Sequence, residues 1–133
     1  MTAPMQHWAA QYIGEPYVPQ ENDCWAFCRR VWHTHFGLDV PVVAVNGTNL
    51  RAITRAFSYH PERDLWQPVE SPIEGDAVLM AHSRFPSHVG IWVDADGGGV
   101  LHCQDPLGVI FSRRDALARA GWARLQFYRR VAP

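Results

Sequence analysis

The sequence predicts an α+β fold, with helices in the first half packed on an antiparallel sheet of about five strands in the second. Three observations carry this. Apolar residues recur at helical spacing in the first sixty positions. After Pro72 the spacing changes to two and β-branched residues become common. The strand candidates there are joined by short turns, which link antiparallel neighbours. The chain has 133 residues, of which 47% are hydrophobic and 19% charged. That is enough for one domain, 1–133, with its own core, and too apolar for global disorder.

Residues Pro4 to Ile13 form a short helix candidate ended by Gly14. Glu15-Pro16-Tyr17-Val18-Pro19 must be extended, because two prolines restrict themselves and the residues before them. The clearest helix begins at Cys24. Cys24, Phe27, Cys28, Val31, Trp32 and Phe36 make one buried stripe. Asn22 and Asp23 supply N-cap chemistry, Gly37 ends the helix and Pro41 prevents a restart. A third helix is expected from about Thr48 to His60, with Leu50, Ile53, Ala56 and Phe57 inward and Pro61 as the stop.

Five strands follow: Gly75 to Ala81, His88 to Asp94, Gly99 to Gln104, Gly108 to Ser112 and Arg124 to Arg130. A short helix near Arg114 to Ala120 interrupts them. The turn Asp94-Ala95-Asp96-Gly97-Gly98-Gly99 is a strong hairpin signal. Along one strand His88, Gly90 and Trp92 share a face; along the next, Val100 and His102 do. An odd-length loop puts His88 and His102 on the same side of the sheet, as opposite or diagonal neighbours.

Charge excludes some functions. Lys+Arg is 12 and Asp+Glu is 13, for a net charge of -1, which argues against nucleic acid or an anionic membrane as the main partner. The first residues show no basic-then-apolar leader and no run reaches transmembrane length, so a soluble chain without a secretory signal is expected. Three cysteines cannot close a disulfide set, and Cys24-x3-Cys28 with a distant Cys103 is a poor zinc pattern.

Three residues fit a nucleophilic mechanism. A thiol attacks as a thiolate, and a helix N-terminus favours that charge. A histidine beside it moves the proton, and a third polar group holds that histidine in the right tautomer. Cys24 at a helix start, His88 on a strand and His102 on the next strand supply one residue for each role. A lowered thiol pKa at Cys24, with fast iodoacetamide labelling below pH 8, is the expectation.

Gly14-Glu15-Pro16-Tyr17, followed by Asn22-Asp23-Cys24-Trp25-Ala26-Phe27, resembles the nucleophile region of NlpC/P60 cysteine peptidases. Glu74-Gly75-Asp76-Ala77-Val78 resembles the family's Gly-Asp strand. Ser87-His88-Val89-Gly90-Ile91-Trp92 is similar to its histidine strand, and Val100-Leu101-His102 to the strand with the third polar residue. The resemblance covers about Gly14 to Cys103. It implies a papain-like fold and cleavage of amide bonds in peptidoglycan stem peptides. Cys24 would be the nucleophile, His88 the base and acid, and His102 the orienting residue. Tyr17, Asp23, Trp25 and Ser87 would line the substrate site. No metal or organic cofactor is implied.

The chain departs from the family pattern where Trp25-Ala26 replaces the usual Ser-Gly and Pro19-Gln20 replaces Gly-Gly. The Cys-Trp variant resembles a phage and prophage branch. That implies synthesis in the cytoplasm, assembly with other tail proteins and delivery to the cell wall by a tail or related particle. Rival readings are a structural tail-tip protein with a weak or inactive domain, an acyltransferase or amidase acting on a lipid or small amide, and a zinc site of Cys24, Cys28, His88 and His102. Cys28, Cys103, Trp32, Trp92 and Trp122 read as core. His7, His33, His35, His60 and His82 read as surface or loop.

Overall fold

A computed structural model describes residues 7–40 and 65–131. The helix expected over Thr48 to His60, together with Pro41 and His60, lies outside the described residues. Of the first helix candidate, Trp8–Tyr12 forms a 3-10 turn. His7 caps it by accepting the Ala9 N–H at 3.1 Å. Helix α1, Cys24–Phe36, follows the extended segment. The Asp23 carboxylate accepts the Ala26 N–H at 2.8 Å and so closes its N-terminus. Asn22 does something else: its amide donates to the Pro16 carbonyl at 2.8 Å and its oxygen accepts from Arg30 at 3.0 Å. It thereby ties the extended segment to the helix flank. Gly37 adopts the left-handed conformation, φ 63°, that ends the helix.

Among the described residues six strands form one antiparallel sheet. They are β1 (Trp66–Val69), β2 (Ala77–Ala81), β3 (His88–Val93), β4 (Gly99–Gln104), β5 (Gly108–Arg113) and β6 (Arg124–Arg130), with the short helix α2 at Arg114–Leu117. The order across the sheet is β1-β6-β2-β3-β4-β5. Five strands match the sequence expectation closely. The sixth, β1, carries Pro68, which argues against a strand interior. It is an edge strand paired only with β6, so its missing N–H leaves no ladder position empty.

Strand alternation divides the core in two. Ala77, Leu79, Val89, Ile91, Val93, Leu101 and Cys103 face α1, where Phe27, Cys28, Val31 and Trp32 meet them. Val78, Met80, Trp92 and Val100 face the other way, against Leu117, Trp122 and Phe127. An ion pair with one buried partner ties β6 to the segment that leads into β2. Arg129 of β6 donates to both oxygens of buried Asp76 at 3.0 and 2.9 Å, and the Ile73 N–H donates to the same carboxylate at 2.8 Å. Among the described residues no helix is long and apolar enough to cross a membrane.

Candidate active site

Val93 pairs with Gly99 across a five-residue loop, and Ile91 pairs with Leu101. This odd loop puts the residues of β3 and β4 in the register that the sequence predicts. His88 and His102 are diagonal neighbours, both buried, on the face away from α1. His88 Nε2 lies 2.8 Å from His102 Nδ1. Gly90 stands between them on the same face. A Cβ there would collide with Val100 and lie 3.0 Å from the Cβ of His102. The bare glycine is what lets the two rings meet.

The dyad continues in both directions. His102 Nε2 lies 2.9 Å from the Ser112 hydroxyl on β5. Trp122 stacks on His88, centroids 5.3 Å apart, and its ring also stacks on His82 at 4.0 Å. His82 is anchored by a 2.8 Å hydrogen bond to the Gly121 carbonyl. Trp122 is core, as the sequence suggests, but core of a particular kind: it is the wall against the His88 ring.

Cys24 opens α1 and is buried on the opposite face of the sheet. Backbone hydrogen bonding from Val89 and Trp25 reaches its sulfur. Val89 adjoins His88, so the helix start docks on the sheet one residue from the imidazole dyad. The β3–β4 ladder runs only from Ile91 to Val93 on β3, which leaves Val89 outside it, where Cys24 meets it. The structure thus joins His88 to His102 and leaves Cys24 on the other face of the sheet, where its sulfur meets the backbone of Val89. Among the described residues no hydrogen bond links the Cys24 thiol to His88.

Electrostatics at the thiol run against the sequence expectation. Burial, and then the Asp23 carboxylate, push Cys24 up to about 12, opposed by the backbone of Val89 and Trp25. The physical reason is one of scale. A helix terminus is worth about 1 kcal/mol or less, under one pKa unit. Taking a thiolate out of water costs more. Cys24 therefore rests as a thiol. Burial lowers His102 to about 4. Burial, then the charges of His102 and His82, hold His88 well below the usual imidazole range. Both rings are neutral at pH 7.

The remaining site candidates occupy varied surroundings. Tyr17 is half-buried, and its phenol is raised first by burial and then by Asp23, Cys24, Asp105 and Cys103. It therefore lies among the groups at the helix start. Asp23 is buried and spends one oxygen on the helix cap. Trp25 is buried and packs edge-on against Trp32, at 5.8 Å, so its indole belongs to the core. Ser87 is half-buried, and its N–H donates to the Met80 carbonyl at 2.8 Å.

Cys28 and Cys103 are buried on the α1 face. The Cys28 thiol donates to the Val89 carbonyl at 3.9 Å, and the Cys103 thiol to the Asn22 carbonyl at 3.1 Å. The four zinc candidates are thus divided between the two faces of the sheet. Among the described residues no group of three or more His, Cys, Asp or Glu is placed to hold a metal ion. Like His82, the other described histidines expected to be background have partners: His33 lies 3.3 Å from Asp39. His7 lies 2.6 Å from Glu74, and His35 lies 2.9 Å from the Tyr12 hydroxyl and stacks on Trp8. Sequence reasoning missed Ser112, whose only signal was a polar side chain two positions beyond Ile110 on the face that also holds His102.

The model of the family described as NlpC/P60 matches residues 11–125, a span that includes α1, all of β1 to β5 and the start of β6. A comparison with curated proteins gives no match. Cys24, His88 and His102 all fall inside the matched span. On that match the chain belongs to the NlpC/P60 family, a family of cysteine peptidases and amidases that act on peptidoglycan.

Proposed function

We propose that the protein is a cysteine peptidase or amidase that hydrolyses an amide bond of peptidoglycan stem peptides. One observation carries this reading: the His88–His102 hydrogen bond sits on the strand whose next residue, Val89, contacts the Cys24 sulfur. Because Cys24 rests as a thiol, its proton must leave as the sulfur attacks. His88, neutral at pH 7, takes that proton as general base. The substrate's carbonyl oxygen becomes an oxyanion that the Cys24 backbone N–H receives. His88 then gives the proton to the departing amine. Water attacks the thioester, the acid product leaves, and the thiol is restored. His102 keeps the His88 ring in place throughout.

Tyr17, Asp23 and Ser87 are proposed to contact the stem peptide, and Trp25 to shape the cleft from beneath through its packing. The Cys24-Trp25-Ala26 variant supports delivery to the wall by a phage tail or related particle; the genes beside this one test that. Mass spectrometry of muropeptides digested with the protein tests the chemistry. New stem-peptide fragments with a free amine and a free carboxylate are expected. Intact muropeptides would favour the assembly role, and a transferred acyl group the acyltransferase.

A further inference from the structure

Ser112 stands opposite Val100 in the β4–β5 ladder, on the same face as His102. Its hydroxyl lies 2.9 Å from His102 Nε2, while His102 Nδ1 lies 2.8 Å from His88 Nε2. A neutral imidazole has one N–H and one lone pair. The two rings and the hydroxyl therefore form a chain in which one choice of direction sets every other.

Two directions are open. If Ser112 Oγ accepts the His102 Nε2–H, then His102 Nδ1 holds a lone pair. His88 Nε2–H donates into it, and His88 Nδ1 is left with a lone pair. If Ser112 instead donates to His102 Nε2, then His102 Nδ1–H donates to His88 Nε2. His88 Nδ1 would then carry a proton, and the ring would have no basic nitrogen to offer. Only the first direction makes His88 a base.

We propose that Ser112 is a positioning residue: its hydroxyl accepts the His102 Nε2–H and so sets the tautomer of both histidines. This rests on the peptidase reading above. Ser112 touches neither Cys24 nor substrate in this scheme; it acts through His102. A second feature supports a dedicated role. Trp122 covers the His88 face of the dyad and His102 is fully buried, so its Nε2 depends on the half-buried Ser112 hydroxyl for a side-chain partner.

The test is a long-range 15N–1H spectrum of the histidine-labelled protein at pH 7, for the wild type, Ser112→Ala and Ser112→Thr. Both rings are expected as Nε2–H tautomers in the wild type. Ser112→Ala should give mixed tautomers at His102, and kcat on a soluble muropeptide should fall by roughly tenfold to a hundredfold. KM should move by less than about twofold, because the loss is in the reacting state. Ser112→Thr, which keeps the hydroxyl, should restore both readouts. An Nδ1–H tautomer at His88 in the wild type would overturn the proposal, even if Ser112→Ala failed to fold. So would unchanged tautomers and kcat in Ser112→Ala. A wild type that is inactive on muropeptides, yet shows two Nε2–H rings that change on Ser112→Ala, would sink the peptidase reading and uphold the Ser112 hydrogen bond.

Discussion

His88 and His102 meet across a glycine: their facing nitrogens are 2.8 Å apart, and Gly90 lies on the face between them. A methyl group at this position would strike Val100 and approach the Leu101 carbonyl and His102 Cβ to 3.0 Å. These neighbours belong to a paired strand and cannot retreat cheaply. Gly90→Ala should cost roughly 1–3 kcal/mol in urea unfolding, the range for overpacking a core. It should also remove activity on sacculi from the fraction that remains folded. Wild-type stability with wild-type activity would show that the dyad does not depend on the glycine.

The dyad also sets a pH dependence. His102 has a folded pKa of about 4 against an unfolded value of 6.5. Between these values the unfolded chain binds more protons. Stability from this group is therefore complete above about pH 6.5 and is lost as pH falls to 4. The loss amounts to about 3 kcal/mol. His88, lowered for the same reason, adds to it in the same direction. Urea titrations at pH 7 and pH 4.5 should show a clear drop in the wild type and a smaller one in His102→Gln. Equal drops would assign the acid sensitivity to other groups.

Thiol reactivity separates the two expectations for Cys24. A helix start alone favours a thiolate below pH 8, but the buried site holds the thiol up to about 12. Iodoacetamide labelling of Cys24, followed by peptide mapping, should be slow at pH 7 and still rising at pH 9. A plateau below pH 8 would mean a preformed thiolate, and the proton would not then need His88.

Asp76 and Arg129 carry stability and not chemistry. The carboxylate is buried and takes two hydrogen bonds from the guanidinium. Asp76→Ala leaves the Ile73 N–H without its acceptor and a partly exposed guanidinium without its partner, and should cost roughly 1–3 kcal/mol. A cost under about 1 kcal/mol would show that the pair is exchanged for water without penalty.

The sequence made the site legible where the chain is periodic. Strand alternation and the parity of one loop were enough to bring His88 and His102 together, and Asp23 and Gly37 marked the ends of α1. What stayed hidden depends on partners distant in sequence. Pro68 disguised β1, because a proline is acceptable only at an edge and the edge is set by β6. Ser112 is an ordinary strand serine until β5 lies beside β4. Trp25 follows the candidate nucleophile, yet its side chain turns into the core against Trp32. The thiol pKa of Cys24 follows from depth, which helix position alone does not encode.

In the proposed mechanism the Cys24 sulfur performs the attack. The most direct test of this step is the release of new amino groups from purified sacculi by wild type and by Cys24→Ala, with unfolding curves showing that both are folded. Release by the wild type and none above background by Cys24→Ala is the predicted result. Equal release by the two proteins would contradict it.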